Sequence, residues 1–300
     1  MQNFVFTIDH VVPCLSVSMT SALVAGVAGL SMTQQHTYLV TGSTEGIGLV
    51  TAQQLSKSGH RVLVHGRNEA KVAKVVASLG GDAEGFVADL SSMAAVRRLG
   101  AEVAAAHPSL DGLLNNAGSF DGDYSGKRVT TEEGNEYTLA VNVLAPFLLT
   151  SLLLSCLRSS GHGRVIISSS VSMGSADALS DLQLDKSYSG HRAYSLSKLC
   201  DAILTHELHA RYGDAPRLTF NTMDPTAQCG MGCDTKMLRA GWGNWGAPTS
   251  QSTISAEMLT SADWASRSGD GFASRRECAN PAVRRALWDE CVALTGAEFP

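Results

Sequence analysis

Short apolar runs alternate with segments of helical spacing along most of the chain. The apolar runs predict six strands, at residues 38–40, 61–65, 83–88, 112–115, 164–168 and 218–223. Apolar positions three and four residues apart predict helices at residues 49–58, 68–79, 91–106, 131–158 and 194–212, with Pro146 expected to bend the fourth. Strands that alternate with helices indicate an α/β doubly wound parallel sheet, the Rossmann fold, with right-handed crossovers.

The chain is interpreted as an N-terminal extension, residues 1–35, followed by a single domain, residues 36–300. A loop rich in Gly, Trp and Met, from Thr226 to Gly246, follows the sixth strand and is interpreted as a flap in which Trp242 and Trp245 pack.

The N-terminal extension has two open interpretations. Residues 11–31 carry no charge and are long enough to cross a bilayer, which favours a membrane anchor facing the cytosol. They are also rich in Ser, Thr and Gly, and no Lys or Arg precedes Lys57, which favours a loose extension ahead of an effective start at Met32. The predicted location is the cytoplasm or the cytosolic face of a membrane, and organellar targeting stays open.

Composition narrows the class of protein. Hydrophobic residues make up 44% of the chain and charged residues 17%, so a large core is available and disorder is not expected. The net charge of -5 and the lack of a basic cluster argue against a nucleic-acid partner. Seven scattered cysteines favour a reduced intracellular setting, and the spacing of Cys229 and Cys233 matches neither a zinc nor a thioredoxin pattern. No metal site is predicted.

A glycine-rich turn follows the first strand and opens the first helix, in the sequence Thr41–Gly48. Glycines let the chain turn sharply and let a ligand approach the backbone, and the helix start offers unpaired N–H groups to a phosphate. The predicted phosphate-binding residues are Gly42, Ser43, Thr44, Gly46, Ile47 and Gly48.

Other polar residues follow the next strands, where the carboxyl ends of a parallel sheet form a ligand site. They include Arg67, the pair Asp89-Leu90, the run Asn116-Ala117-Gly118 and the serines Ser168, Ser169 and Ser170. An acid after the second strand would bond the ribose 2′-hydroxyl of NAD, whereas a guanidinium can bind a 2′-phosphate with two hydrogen bonds. Because Arg67 occupies this place, NADP is favoured over NAD.

The motifs together resemble the short-chain dehydrogenase/reductase family. The matching pieces are Thr41–Gly48, Asp89, Asn115–Gly118, Asn142, Ser170 and the run Tyr194-Ser195-Leu196-Ser197-Lys198, in the family order over residues 36–225. Residues 131–136, the run Phe147-Leu148-Leu149-Thr150 and residues 236–243 resemble the retinol-dehydrogenase-like branch.

The resemblance implies a catalytic set of Asn142, Ser170, Tyr194 and Lys198, with Ser169 as the alternative serine. Asn142 would hold a water, Lys198 would bond the nicotinamide ribose, and Asp89 would cap the adenine ring. The residues themselves support this chemistry, because Tyr194 and Lys198 lie one helical turn apart and a lysine charge favours the phenolate form of tyrosine. Tyr194 would then exchange the proton in carbonyl reduction.

The sequence departs from the family after the sixth strand. The expected Pro-Gly pair reads Pro225-Thr226, and the next threonine, Thr235, comes late. Pro225 and Thr235 are predicted to contact the cofactor, with Thr226 as the alternative to Thr235.

The predicted function is an NADP-dependent oxidoreductase that interconverts an alcohol and a carbonyl on a hydrophobic small molecule. The alternative is a dinucleotide-binding regulator or scaffold with weak turnover. A nucleotide-sugar epimerase would also use Tyr-x-x-x-Lys, but its usual glycine spacing is absent here. A homo-oligomer stays open.

Overall fold

The six predicted strands lie side by side in one parallel sheet. We describe residues 34–174, 176–230, 232–271 and 275–300 of a computed structural model. The strands are β1 (Thr37–Val40), β2 (Arg61–Gly66), β3 (Glu84–Val87), β4 (Gly112–Asn115), β5 (Gly163–Ser168), β6 (Leu218–Met223) and a short β7 (Asp270–Gly271). Their order is β3-β2-β1-β4-β5-β6-β7, and every pairing is parallel, which confirms the doubly wound fold. The membrane hypothesis for residues 11–31 lies outside the described residues.

Helices cover both faces of the sheet. They are α1 (Gly46–Lys57), α2 (Glu69–Leu79), α3 (Met93–Ala106), α4 (Tyr137–Ser159), α5 (Gly190–Tyr212), α6 (Lys236–Gly241), α7 (Ile254–Thr260) and α8 (Pro281–Thr295). Because successive strand residues point to opposite faces, Leu39 packs into the core under α3, α4, α5 and α8, while Val40 packs under α1, α2 and α7.

The helix predicted from Thr131 begins later, at Tyr137. Gly134 adopts a left-handed conformation, with a φ of 88°, so residues 131–134 form a turn. Glu136 then caps the helix, because its carboxylate accepts the N–H groups of Thr138 at 2.9 Å and Leu139 at 2.7 Å. Helix α5, in contrast, begins earlier than predicted, at Gly190, where the Ser189 hydroxyl caps it.

A π-helical stretch, Ala140–Leu144, widens α4 immediately before Pro146. A proline cannot donate a backbone hydrogen bond, so a wider turn before it relieves the missing bond at the place where a bend was expected. By length and composition α4 is the one described helix that could cross a membrane, but 89% of its apolar window is buried. It is the central helix of the core.

The part of the chain after β6 adds elements that the sequence pattern did not predict. Helix α8 closes the core against α4 and α5 through Trp288, whose ring lies 4.8 Å from Phe147 and 4.5 Å from Phe299 between centroids.

Candidate active site

The glycine turn brings the start of α1 against the carboxyl ends of β1 and β4. A Cβ on Gly48 would lie 2.4 Å from the Gly42 oxygen and 2.5 Å from the Asn116 side chain, so only glycine allows this close packing. Glu45 precedes α1 without a side-chain cap, so among the described residues no capping side chain bonds the N–H groups of the first turn. Those N–H groups are suited to an anion.

His65, which no sequence motif singled out, holds the glycine turn in place. Its Nδ1 accepts the Gly42 N–H at 3.1 Å, and its Nε2 donates to the Ala88 oxygen at 3.2 Å. Ser43 is fully buried and bonds the His65 backbone in both directions, at 2.9 Å. Burial lowers the pKa of His65 to about 4, so the ring is neutral and keeps this pair of bonds.

An open cavity of about 380 Å³ runs along the carboxyl edge of the sheet. Fourteen of the predicted site residues line it: Gly42, Thr44, Gly46, Ile47, Arg67, Asp89, Leu90, Asn116, Ala117, Gly118, Tyr194, Lys198, Pro225 and Thr235. Ser43 and Gly48 lie behind the turn, and Asn142 and Ser170 also lie outside the cavity lining.

The cavity fits a nicotinamide dinucleotide. It joins the uncapped start of α1, which suits a pyrophosphate, to Tyr194 and Lys198 at the other end. The buried hydroxyl oxygens of Ser119 and Ser168 have no hydrogen-bond partner within the described residues, although both residues line the cavity. Unpartnered buried hydroxyls on a cavity wall are suited to a polar ligand.

Arg67 lines the cavity but already has partners. Its guanidinium donates to Asp123 at 2.9 and 3.4 Å and to the Tyr137 hydroxyl at 3.1 Å. The hydrogen bond from Arg67 to Asp123 raises the pKa of Arg67, so the guanidinium stays protonated. Asp123 is a second residue that no sequence motif singled out, and its carboxylate would compete with any phosphate for Arg67.

Three serines at the end of β5 have different surroundings. Ser169 lines the cavity, and its hydroxyl donates to the Lys198 oxygen at 2.9 Å. The Ser170 hydroxyl accepts the Ser172 N–H at 3.1 Å and lies close enough to the Tyr194 hydroxyl to lower the Tyr194 pKa. Of the two candidate serines, Ser170 is therefore the one that meets Tyr194.

Tyr194 is 8% exposed, and burial raises its pKa, while Lys198 and the Ser170 hydrogen bond oppose that rise. Lys198 therefore lowers the Tyr194 pKa in the direction that the sequence predicted, but burial, the largest effect, outweighs it. A buried carboxylate that was not among the predicted site residues, Asp201, adds a smaller rise. Lys198 donates to Asp201 at 2.9 Å and to the Ser168 oxygen at 2.6 Å. The negative charge of Asp201 offsets part of the effect of the lysine charge on the Tyr194 pKa.

The ion pair of Lys198 and Asp201 is buried on both sides, with side chains 6% and 1% exposed. Burial lowers the pKa of Lys198, but Asp201 and Tyr194 more than offset that effect, so the lysine stays charged. Burial also raises the pKa of Asp201 to about 6, despite the nearby lysine. At neutral pH Asp201 is therefore ionised.

The side chain of Asn142 is fully occupied by the protein. It donates to the Ser119 oxygen at 3.1 Å and to the Ser197 hydroxyl at 3.0 Å, and it accepts the Ser119 N–H at 2.7 Å. Both N–H groups of the Asn142 side chain are therefore used within the protein.

The predicted flap reaches the cavity through α6. Thr235 caps α6 and lines the cavity, whereas the Thr226 hydroxyl donates to Asp224 at 2.6 Å and does not line it. Asp224 also accepts the N–H of Val171 at 2.7 Å. Asp224 thereby links the loop after β6 to the loop after β5, and its bond to the Thr226 hydroxyl holds that side chain outside the cavity lining.

Trp242 lies above the proposed reaction centre. Its ring centroid lies 5.3 Å from Tyr194 and 5.2 Å from Phe120. Trp245, in contrast, is 50% exposed. Its ring Nε1 nevertheless donates to the Trp242 oxygen at 2.7 Å, so both tryptophans contact the flap.

Cys229 and Cys233 form a disulfide within the flap, which corrects the expectation of reduced cysteines in this segment. The other cysteines of the described residues, Cys156, Cys200, Cys278 and Cys291, are free and buried.

The fold and this cavity define a dinucleotide-binding protein with a Tyr-Lys pair at one end of its site. A family model for short chain dehydrogenases matches residues 36–228. The chain is 30% identical to mouse retinol dehydrogenase 14 over 291 residues, which span 87% of this chain and 86% of that protein. It is 38% identical to mouse polyprenol dehydrogenase over 218 residues, 68% of this chain and 62% of that protein.

Solved structures agree with this assignment. An uncharacterized protein from Mycobacterium paratuberculosis matches with a TM-score of 0.68 and 27% identity, over 89% of this chain and 95% of that one. The chain belongs to the short-chain dehydrogenase family, in its retinol-dehydrogenase-like branch, and is an NAD(P)-dependent oxidoreductase that acts on CH–OH groups.

Proposed function

We propose that this protein interconverts an alcohol and a carbonyl on a hydrophobic small molecule, uses NADP, and exchanges the proton through Tyr194. The observation that carries the proposal is a single cavity lined by the glycine turn, Tyr194 and Lys198, with the Ser170 hydroxyl close enough to Tyr194 to lower its pKa. Family membership favours this enzyme over the regulator or scaffold alternative.

The bound nicotinamide would supply or accept the hydride. Tyr194 would give its proton to the substrate oxygen in reduction and take it back in oxidation. Ser170, which lies close to Tyr194, would donate to the same substrate oxygen and orient the carbonyl. Lys198 would hold the ribose and favour the phenolate of Tyr194, and Asn142 would hold the water that returns the proton from solvent.

The preference for NADP rests on Arg67 at the end of β2, with no acid from β2 itself at that place. A guanidinium binds a 2′-phosphate with two hydrogen bonds, whereas an acid would repel it. Asp123 would then have to release Arg67 when the phosphate binds.

The substrate class rests on an apolar wall and on named relatives. Phe120, Trp242 and Met237 surround the space next to Tyr194 and Gly118, so an apolar group is favoured beside the reacting carbon. The relatives are named for retinol and polyprenol, which are apolar isoprenoid alcohols. We therefore favour a long-chain isoprenoid alcohol or aldehyde.

The test is NADPH oxidation with retinal, an isoprenoid aldehyde and a short polar aldehyde. We expect the two apolar aldehydes to be reduced faster, and Tyr194→Phe to lower turnover at least ~100-fold while NADPH still binds. Tyr188→Phe removes a hydroxyl outside the cavity and is the matched control. Near-normal turnover in Tyr194→Phe would refute its role, and equal rates with the polar aldehyde would refute the substrate class.

A further inference from the structure

Four residues with side chains that can bind metals form a row along the amino edge of the sheet. His60, His36, Asp111 and His162 each directly precede the first residue of a strand, namely β2, β1, β4 and β5. These four strands are neighbours in the sheet. The active site lies at the opposite, carboxyl edge, so this row is a separate feature of the molecule.

Three of the four side chains converge on one point. Asp111 Oδ1 lies 3.2 Å from His36 Nδ1 and 2.6 Å from His162 Nε2, and the two ring nitrogens lie 3.1 Å apart. Zinc bonds to nitrogen and oxygen are about 2.0–2.1 Å long, so neighbouring ligand atoms of a tetrahedral site lie about 3.3 Å apart. Two of the three separations are close to that value, and a small outward movement of His162 would bring the third to it.

The surrounding residues orient these three groups. The second carboxylate oxygen of Asp111 accepts the Thr37 N–H at 2.6 Å, which directs Oδ1 toward the two histidines. His60 Nδ1 accepts the backbone N–H of His36 at 3.4 Å, and the two rings lie 5.5 Å apart. The exposed fractions of the three side chains, 24% for His36, 13% for Asp111 and 41% for His162, leave a path for an ion and water.

We propose that His36, Asp111 and His162 form a binding site for a divalent transition metal of the zinc class, with water in the fourth position. Two imidazoles and one carboxylate are a donor set that suits zinc. The metal would join the amino ends of β1, β4 and β5, the three central strands. It would therefore stabilise the fold at a distance from the reaction and would not take part in the hydride transfer.

A second histidine–carboxylate contact provides a matched control. His107 Nε2 lies 3.1 Å from the Glu84 carboxylate, but among the described residues no third metal-binding side chain joins this pair. Two donors of this kind bind a metal more weakly than three, so His107→Gln removes a comparable histidine without touching the proposed site.

The test uses the full chain, stripped of metal by a chelator and titrated with Co²⁺ and then Zn²⁺. We expect one Co²⁺ per chain with visible absorption typical of a four-coordinate ion, and displacement of that ion by Zn²⁺. His162→Gln should weaken Zn²⁺ binding at least ~10-fold, and His107→Gln should leave it unchanged. Zinc should also raise the Tm of the wild type, but not of His162→Gln, because it binds only the folded state.

Two outcomes would overturn the proposal. The first is the absence of a Co²⁺ band and of a Zn²⁺ effect on Tm, which would identify the three residues as a hydrogen-bonded cluster only. The second is equal Zn²⁺ affinity in the wild type and His162→Gln. The Tm of each metal-free variant is the check that His162→Gln, a change in a partly exposed loop residue, still folds.

Discussion

At the scale of single residues, the proposed proton transfer depends on the pKa of Tyr194, which the positive charge of Lys198 lowers. Lys198 is one helical turn from Tyr194 and also 2.9 Å from the buried carboxylate of Asp201. An ionised Asp201 favours a neutral Tyr194, because it offsets the lysine charge. In the proposed mechanism Asp201 would act on the reaction through Lys198, as a positioning residue.

We expect Asp201→Asn to move the pH profile of alcohol oxidation about one unit or more toward lower pH. The pKa of Asp201 is about 6, so at neutral pH the substitution removes a negative charge, and the unopposed lysine lowers the pKa of Tyr194. The reactive phenolate then forms at a lower pH. The measurement is kcat/KM for oxidation across the pH range.

Asp201→Glu keeps the carboxylate and is the control, with a profile close to that of the wild type. A purely structural role for Asp201 would lower the rate of Asp201→Asn at every pH without moving the profile. An unmoved profile, or one moved toward higher pH, would contradict the assignment.

The proposed preference for NADP depends on one contact, between Arg67 and Asp123. We expect Asp123→Asn to raise the preference for NADP over NAD by about two- to fivefold, because it frees a guanidinium in a partly exposed ion pair. Arg67→Ala should lower the same preference at least ~10-fold, since it removes charge-assisted bonds to the 2′-phosphate. The ratio of kcat/KM for the two cofactors measures both changes. A wild type that prefers NAD would contradict the assignment of Arg67 to the 2′-phosphate.

At the scale of elements, α6 connects the flap to the cofactor site. Thr235 begins this helix, lines the cavity and lies next to Gly46, so a Cβ on Gly46 would lie 3.7 Å from its methyl group. The disulfide between Cys229 and Cys233 and the bonds of Asp224 hold the preceding loop. The flap is thus anchored at its start and contacts the site through α6.

We expect Thr235→Ala to weaken NADPH binding about two- to tenfold, and Thr226→Ala to have a smaller effect. Thr235→Ser keeps both the hydroxyl and the helix cap, so it separates a lost cofactor contact from a frayed α6. Fluorescence titration of NADPH measures the affinity, and hydrogen exchange should show slower exchange of Thr226–Gly246 with NADPH bound. Equal exchange with and without NADPH would show that the segment is not a cofactor flap.

The features that follow from strand ends were predictable from the sequence. Parallel strands bring their carboxyl ends to one edge, so the order of the strands along the chain was enough to assign Gly42, Arg67, Asp89 and Asn116 to one cavity. The boundaries of α4 were less predictable, because Glu136 caps the helix, whereas two earlier acids in the Thr131 turn resemble a helix start.

Contacts between distant residues could not be predicted. Asp123 reaches Arg67 from 56 positions away, through a left-handed turn with a φ of 57°. The row of His36, Asp111 and His162 also exists only once β1, β4 and β5 are neighbours. Asp201 is different, since it lies three residues after Lys198 on the same helix face, and that spacing was a signal in the sequence.

At the scale of the whole molecule, the sheet separates two kinds of site. The carboxyl edge carries the open cavity, lined by two hydroxyls that have no partner within the described part of the chain and are suited to a polar ligand. The amino edge carries the histidine and aspartate row, where the side chains bond each other. Because the two edges are joined by buried strands, stability at one edge supports the geometry of the other.

The same separation gives a prediction for the N-terminal extension. Residues 35–300 form one compact unit with its own core, and the described apolar helix α4 is buried inside it. A chain that starts at Met32 keeps all of these residues, including His36. We therefore expect it to fold, to bind NADPH as tightly as the full chain, and to retain the response of its Tm to zinc.

Flotation with lipid vesicles, compared between the two chains, would assign membrane association to residues 1–31 if only the full chain floats. A shortened chain that unfolds or loses NADPH binding would show that the extension is part of the folded enzyme, and one that floats as well as the full chain would place the membrane contact elsewhere.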